Sequence, residues 1–218
     1  MKKYGVLVLL LMSQVAQAAL GQDIHRLQVQ WAQAYYQLTG DQQQATFESA
    51  ITAADKAVKA NPGHVVPLIW RGILKATYAG VKGGLGALSL AKEAKADMEK
   101  AIAIDPDASG SAYATLATLY FRVPGWPIGF GDDDKAEQLF KQALKYDPDS
   151  IDTNYLYAEY LIDQHRYQDA EQYLQKAQHA PARPDRPLAD KGRHQQIAAA
   201  LKEVHAKIHK KIAHNAPF

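Results

Sequence analysis

Four times along this chain of 218 residues a small residue is followed four positions later by a second residue, three after that by another small one, and about five further on by proline. The sets are Ala50, Ala54, Ala57 and Pro62; Ala94, Met98, Ala101 and Pro106; Ala136, Phe140, Ala143 and Pro148; and Ala170, Leu174 and Ala177, with Pro181 one place early. Steps of four and three return to one face of a helix, and proline disfavours helical backbone in the residue before it. Each set therefore reads as a helix carrying small residues on its apolar face. Such a face fits closely against another helix, because a larger side chain would hold the two axes apart.

Each set is preceded by an apolar stripe of its own. The stripes are Leu27, Trp31, Ala34 and Leu38; Leu68, Ile69, Gly72 and Ile73; Tyr113, Leu116, Ala117 and Tyr120; and Asn154, Tyr157, Ala158 and Leu161. The unit is thus a pair of helices repeated four times, and the first copy is degenerate because alanine fills the place of the large residue. A single pair has nothing on which to bury its apolar face, so the copies must stack. Beyond the proline-rich link Pro181 to Pro187, a last stripe of Ile197, Leu201, Val204, Ile208 and Ile212 predicts a long helix at the end of the stack.

Two interruptions break the pattern, the glycine-rich stretch Gly80 to Gly86 and the stretch Val123 to Asp134, VPGWPIGFGDDD. Both lie between the helices of a pair. Insertions at equivalent points of a stack emerge on one edge, so the two are expected to share a rim. The second is expected to fold back as a plug that buries Trp126 and Phe130, or to wall a groove with an aromatic turned to a ligand. The acids Asp132, Asp133 and Asp134 precede a helix, where they cap free amides.

The first residues read as a leader. Lys2 and Lys3 precede the apolar run Val6 to Met12, and Ala16-Gln17-Ala18 has the small-x-small form of a signal-peptidase site. Cleavage after Ala18 is expected, with residues 19–181 forming the repeat domain and residues 182–218 the link and capping helix. No later stretch is long and apolar enough to span a bilayer. The chain has no cysteine, hence no disulfide framework and no thiol to carry a lipid.

Loss of Lys2 and Lys3 leaves 23 basic residues against 23 acids. The balance is uneven, since residues 182–218 hold eight Lys/Arg and three acids. A basic tail on an acidic body is not the footprint of a nucleic-acid binder. Neither GxSxG nor HExxH occurs, and the glycines near Gly84 lack the Lys-Ser/Thr of a phosphate loop. His205 and His209 stand one helical turn apart without a third ligand, which reads as a solvated basic face. No catalytic residue, metal or cofactor is expected.

The four pairs resemble tetratricopeptide repeats, and the VPGWPIGFGDD block with the fourth pair is similar to one found in small exported bacterial members of that family. A more distant likeness is to the helical periplasmic component of TRAP-type solute transporters. The resemblance implies an all-α, right-handed helical solenoid of about four pairs plus a C-terminal capping helix. It further implies a non-catalytic periplasmic scaffold that holds a peptide or protein partner in its concave groove, with a small-molecule-binding or transporter-accessory role as the alternative. In such solenoids the concave side is lined by the first helix of each pair. The expected binding residues are Trp70, Arg71, Thr118, Arg122, Tyr155 and Glu159 on those helices, joined by Trp126 and Phe130 of the inserted stretch.

Overall fold

The computed structural model describes residues 2–107 and 110–215, and the side chains among them except those of 2–16, 85 and 211–215. The side chains of most of the expected leader, and that of His214, thus lie outside the described part. All regular elements among the described residues are helices: α1 (Lys2–Tyr36), α2 (Gly40–Ala60), α3 (Val65–Lys82), α4 (Gly84–Ile104), α5 (Gly110–Arg122), α6 (Asp133–Tyr146), α7 (Ile151–Asp163), α8 (Tyr167–Gln178) and α9 (Pro187–Asn215). None of them is long and apolar enough to cross a membrane.

The helices pair as α1 with α2, α3 with α4, α5 with α6 and α7 with α8. The first helices of successive pairs touch one another, and each second helix also touches the first helix of the next pair. That is how a helical solenoid stacks. The repeated small residues are the contacts that permit it. Ala94, Ala101, Ala136, Ala143, Ala170 and Ala177 have no exposed surface. Across from Ala94, a Cβ added to Gly72 would lie 2.2 Å from the Met98 methyl and 3.3 Å from the Ala94 carbonyl oxygen, so even one carbon there would make Met98 move and crowd the α3–α4 approach. The large residue of the third set points onward to the next pair. The Phe140 ring stands 5.3 Å from Tyr157 and 5.8 Å from Tyr160, carrying α6 onto α7.

The glycine-rich stretch differs from the expected loop. α3 runs on to Lys82 and α4 begins at Gly84, so only Gly83 separates them. Gly83 and Gly84 both have φ of 63°, a left-handed backbone that glycine adopts without steric cost. The stretch is a tight helix-to-helix turn.

The inserted stretch divides the roles expected of its aromatics. It doubles back on itself, with the Gly131 amide donating to the Pro124 carbonyl at 3.0 Å and the Asp132 amide to the Tyr120 carbonyl at 2.9 Å. A Cβ on Gly131 would fall 1.9 Å from the Val123 carbonyl oxygen, so glycine is required there. The Asp132 carboxylate caps α6 by accepting from the Lys135 amide at 2.9 Å. Phe130 packs edge-on against Tyr120, 5.5 Å away. Trp126 does not join it: it sits at the turn and is 89% exposed. The doubling-back leaves no surface for it to pack on, so the plug contains one aromatic and not two.

The last helix does more than cover α8. α9 also touches α7 and returns to α1. At that crossing a Cβ on Gly192 would lie 2.4 Å from the Tyr36 ring, and Gln196 is hydrogen-bonded to both Tyr36 and Tyr35 at 3.2 and 3.3 Å. Leu188 and Ala189 join the cluster of Ile24, Leu27 and Trp31.

Phe140→Ala is expected to lower the unfolding free energy by about 3–5 kcal/mol, the cost of emptying a fully packed aromatic site. Trp126→Ala should change it by less than about 0.5 kcal/mol, as at an unconstrained surface position. Urea unfolding followed by circular dichroism measures both.

Candidate functional site: the cavity enclosed by the solenoid and its last helix

The first helices of all four pairs turn one side toward a common cavity of about 770 Å³. α1 brings Trp31 and Tyr35, α3 brings Trp70, Ile73 and Thr77, α5 brings Ala114, Thr118 and Arg122, and α7 brings Thr153, Leu156 and Glu159. Gly84, Ala87 and Leu88 of α4 complete one wall, and Val123, Pro124 and Ile128 form a lip. Gly80 and Gly84 thus do share a rim with the inserted stretch. The remaining wall is Arg186 of the link and Arg193 of α9.

This wall is held by charge. The Asp152 carboxylate, in the first turn of α7, accepts from Arg193 at 2.8 Å and from Arg183 at 2.6 Å. Arg183 also donates to Asp190 at 2.7 Å. Arg193 is 5% exposed and lies over the Tyr155 ring, 4.4 Å from its centre. Burial alone would raise the Asp152 carboxyl, but Arg193 and Arg183 hold it well below the usual carboxylate range. Burial pushes the Tyr36 hydroxyl up to about 12 and raises that of Tyr155, which also donates to Glu159 at 2.8 Å.

Arg186 differs from its neighbours. Its guanidinium stands 5.1 Å from the centre of the Trp70 ring, and its buried Nε has no hydrogen-bond partner among the described residues. It makes none of the ion pairs that fix Arg183 and Arg193. Burial, and then the charge of Arg183, lower its pKa against the weaker support of Asp152, Asp190 and Asp185.

A second, more open hollow of about 380 Å³ lies alongside, among α5, α7 and α9. It is lined by Phe121, Tyr155, Gln196 and Glu203, and by Arg122 and Glu159, which also face the cavity. Arg122 pairs with Glu159 at 3.1 Å, so this ion pair stands between the two spaces.

The expected binding residues separate on these surfaces. Trp70, Thr118, Arg122 and Glu159 line the cavity, and Tyr155 lines the hollow. Arg71 turns away from both: it bonds Asp97 of α4 at 2.8 Å and Asp55 of α2 at 3.0 Å, tying three helices together. Phe130 is packed on Tyr120, and Trp126 stands in solvent outside the cavity. Sequence reasoning missed Arg186 and Arg193. Their one signal was the excess of basic residues in the tail over an acidic body, an attraction that does not say where the tail lands. His205 of the basic helix also pairs inward, 2.8 Å from Glu171 of α8.

A tetratricopeptide-repeat family model matches residues 128–186, from the inserted stretch through α6, α7 and α8 to the link. Among solved structures, a thermophilic tetratricopeptide protein of Thermus thermophilus is 18% identical, with a TM-score of 0.53 over 78% of this chain and 83% of that one. MamA is 21% identical over 78% of this chain and 92% of that one, with a TM-score of 0.44. No curated protein sequence matches the chain. The fold is thus a tetratricopeptide-like helical solenoid, the architecture that the repeated spacing implied.

The carboxylates that bind the arginines set the acid response. Hydrogen bonding from Arg166, outweighing burial, lowers Glu137 from 4.5 to about 2, and Asp152 is lowered too. A carboxyl with a depressed folded-state pKa contributes stability above its unfolded pKa and loses it as pH falls through the folded value. The contribution of Glu137 should be complete at pH 5 and decline between about pH 4.5 and pH 2. Glu137→Gln is expected to flatten the fall of urea-unfolding free energy across that window.

Proposed function

We propose that the protein is a non-catalytic interaction scaffold of the periplasm that holds a peptide segment of a protein partner against its concave face. The observation that carries this reading is the open hollow beside the cavity, where Tyr155, Phe121 and the half-exposed Arg122 stand together on α5 and α7. Tyrosine and arginine are the residue types enriched at binding hot spots, because each offers a large apolar body with directed polar groups. A tetratricopeptide-like solenoid supports the reading, since stacked pairs leave a continuous inner surface of this kind. Arg122→Glu reverses the sign of one wall and should abolish capture of any envelope protein that the parent chain retains. Equal recovery by both forms would count against the hollow as the docking face.

The periplasmic assignment rests on the leader, residues 1–18. Fractionation of a Gram-negative host expressing the full chain should place the product in the periplasm, with Ala19 as its first residue by N-terminal sequencing. A cytoplasmic product beginning at Met1 would overturn it.

One observation favours a second reading, small-molecule binding or service as a transporter accessory. The cavity of about 770 Å³ falls within the roughly 300–1,000 Å³ of ligand pockets. Arg186 of the link and Arg193 of α9 wall one side of it.

A further inference from the structure

We propose that the cavity binds an anionic amphiphile, a single carboxylate on an apolar chain, with the carboxylate taken by Arg186 and the chain laid against Trp31, Trp70 and Ile73. The inference rests on the small-molecule reading above and adds the chemistry of the ligand.

Three arginines of the tail, Arg183, Arg186 and Arg193, meet two ion-paired carboxylates, Asp152 and Asp190, at this wall, and Asp185 lends Arg186 only weak support without an ion pair. Those two carboxylates are engaged by Arg183 and Arg193. Arg186 is left beside an apolar space with its Nε buried and unpaired among the described residues. Burying part of a guanidinium without a directly bonded anion costs free energy. The Trp70 ring, its centre 5.1 Å from the guanidinium carbon, offsets part of the cost. The planar fork of a guanidinium matches a carboxylate in two parallel hydrogen bonds. Arg186 offers one guanidinium outside those ion pairs, which suits a ligand with a single carboxylate.

The remaining wall specifies the body of the ligand. Arg122 is neutralised by Glu159 at the far side, and most of the surface between is aliphatic or aromatic. The other charged groups of the lining, Asp152 with Arg193 and Glu159 with Arg122, are already paired with each other.

The test compares probes that differ only in the head group, laurate, dodecanol and dodecylamine, titrated below their aggregation concentrations into the full exported chain by calorimetry. Laurate should bind saturably, one per chain, at least about tenfold more tightly than either of the others, as a charged hydrogen bond at a buried site commands. Arg186→Leu should reduce laurate to the level of dodecanol, while the ligand-free variant melts at or above the parent temperature. Arg186→Lys should keep part of the preference, and Thr118→Trp, which fills the cavity wall, should block all three probes. Equal binding of laurate and dodecanol to the parent would overturn the anion assignment and leave the small-molecule reading standing. Failure of every probe to bind would overturn both. Laurate binding undiminished in Thr118→Trp or in Arg186→Leu would place its site elsewhere and sink the proposal.

Discussion

The close approach of paired helices at their small residues is the contact on which everything else in this molecule stands. Ala136 and Ala143, like Ala94 and Ala101, are wholly buried because nothing larger would let the partner helix lie so near. The same closeness sets the position of the large residue between them. Phe140 then points to the next pair, where its ring meets Tyr157 and Tyr160. A stack built this way turns the first helices inward together. The inner surface is a consequence of how the helices pair.

A stack of helical pairs does not by itself make an enclosed space. Here the enclosure comes from the tail, which crosses from α7 back to α1. Buried ion pairs add little net stability, because desolvation offsets their attraction. Their value is positional. Asp152 gathers Arg183 and Arg193 to one point, and the bare backbone of Gly192 lets α9 rest on Tyr36. With those contacts made, Arg186 has nowhere to go but the cavity wall. An unpaired cation beside tryptophan is thus the residue of a folding constraint and, on the present proposal, the reason that constraint was kept.

Most of the fold was legible because its signal is local. The spacing of Ala136, Phe140 and Ala143 lies within a single helix, and a helix reports which side it buries through residues three and four apart. Along α5 and α7 the same count carried through to Thr118, Arg122, Tyr155 and Glu159, all of which face the inner spaces. Counting failed at Arg71, where the register of α3 was ambiguous and the acids that claim it lie on α2 and α4. It failed again in the inserted stretch. There the backbone follows no period, and the separation of a packed Phe130 from an exposed Trp126 depends on how the turn closes on Val123 and Pro124.

The sequence alone therefore determined that the chain is an all-helical stack of pairs, where each pair begins, and which residues bury between them. Those properties follow from periodicity within single elements. Only the tertiary structure decided that the tail returns to the first helix, that the inner surface becomes a cavity, and that Arg186 lines it without a partner among the described residues. Those depend on contacts such as Gln196 with Tyr36, which join residues 160 positions apart, and no spacing along the chain encodes which distant charges will meet.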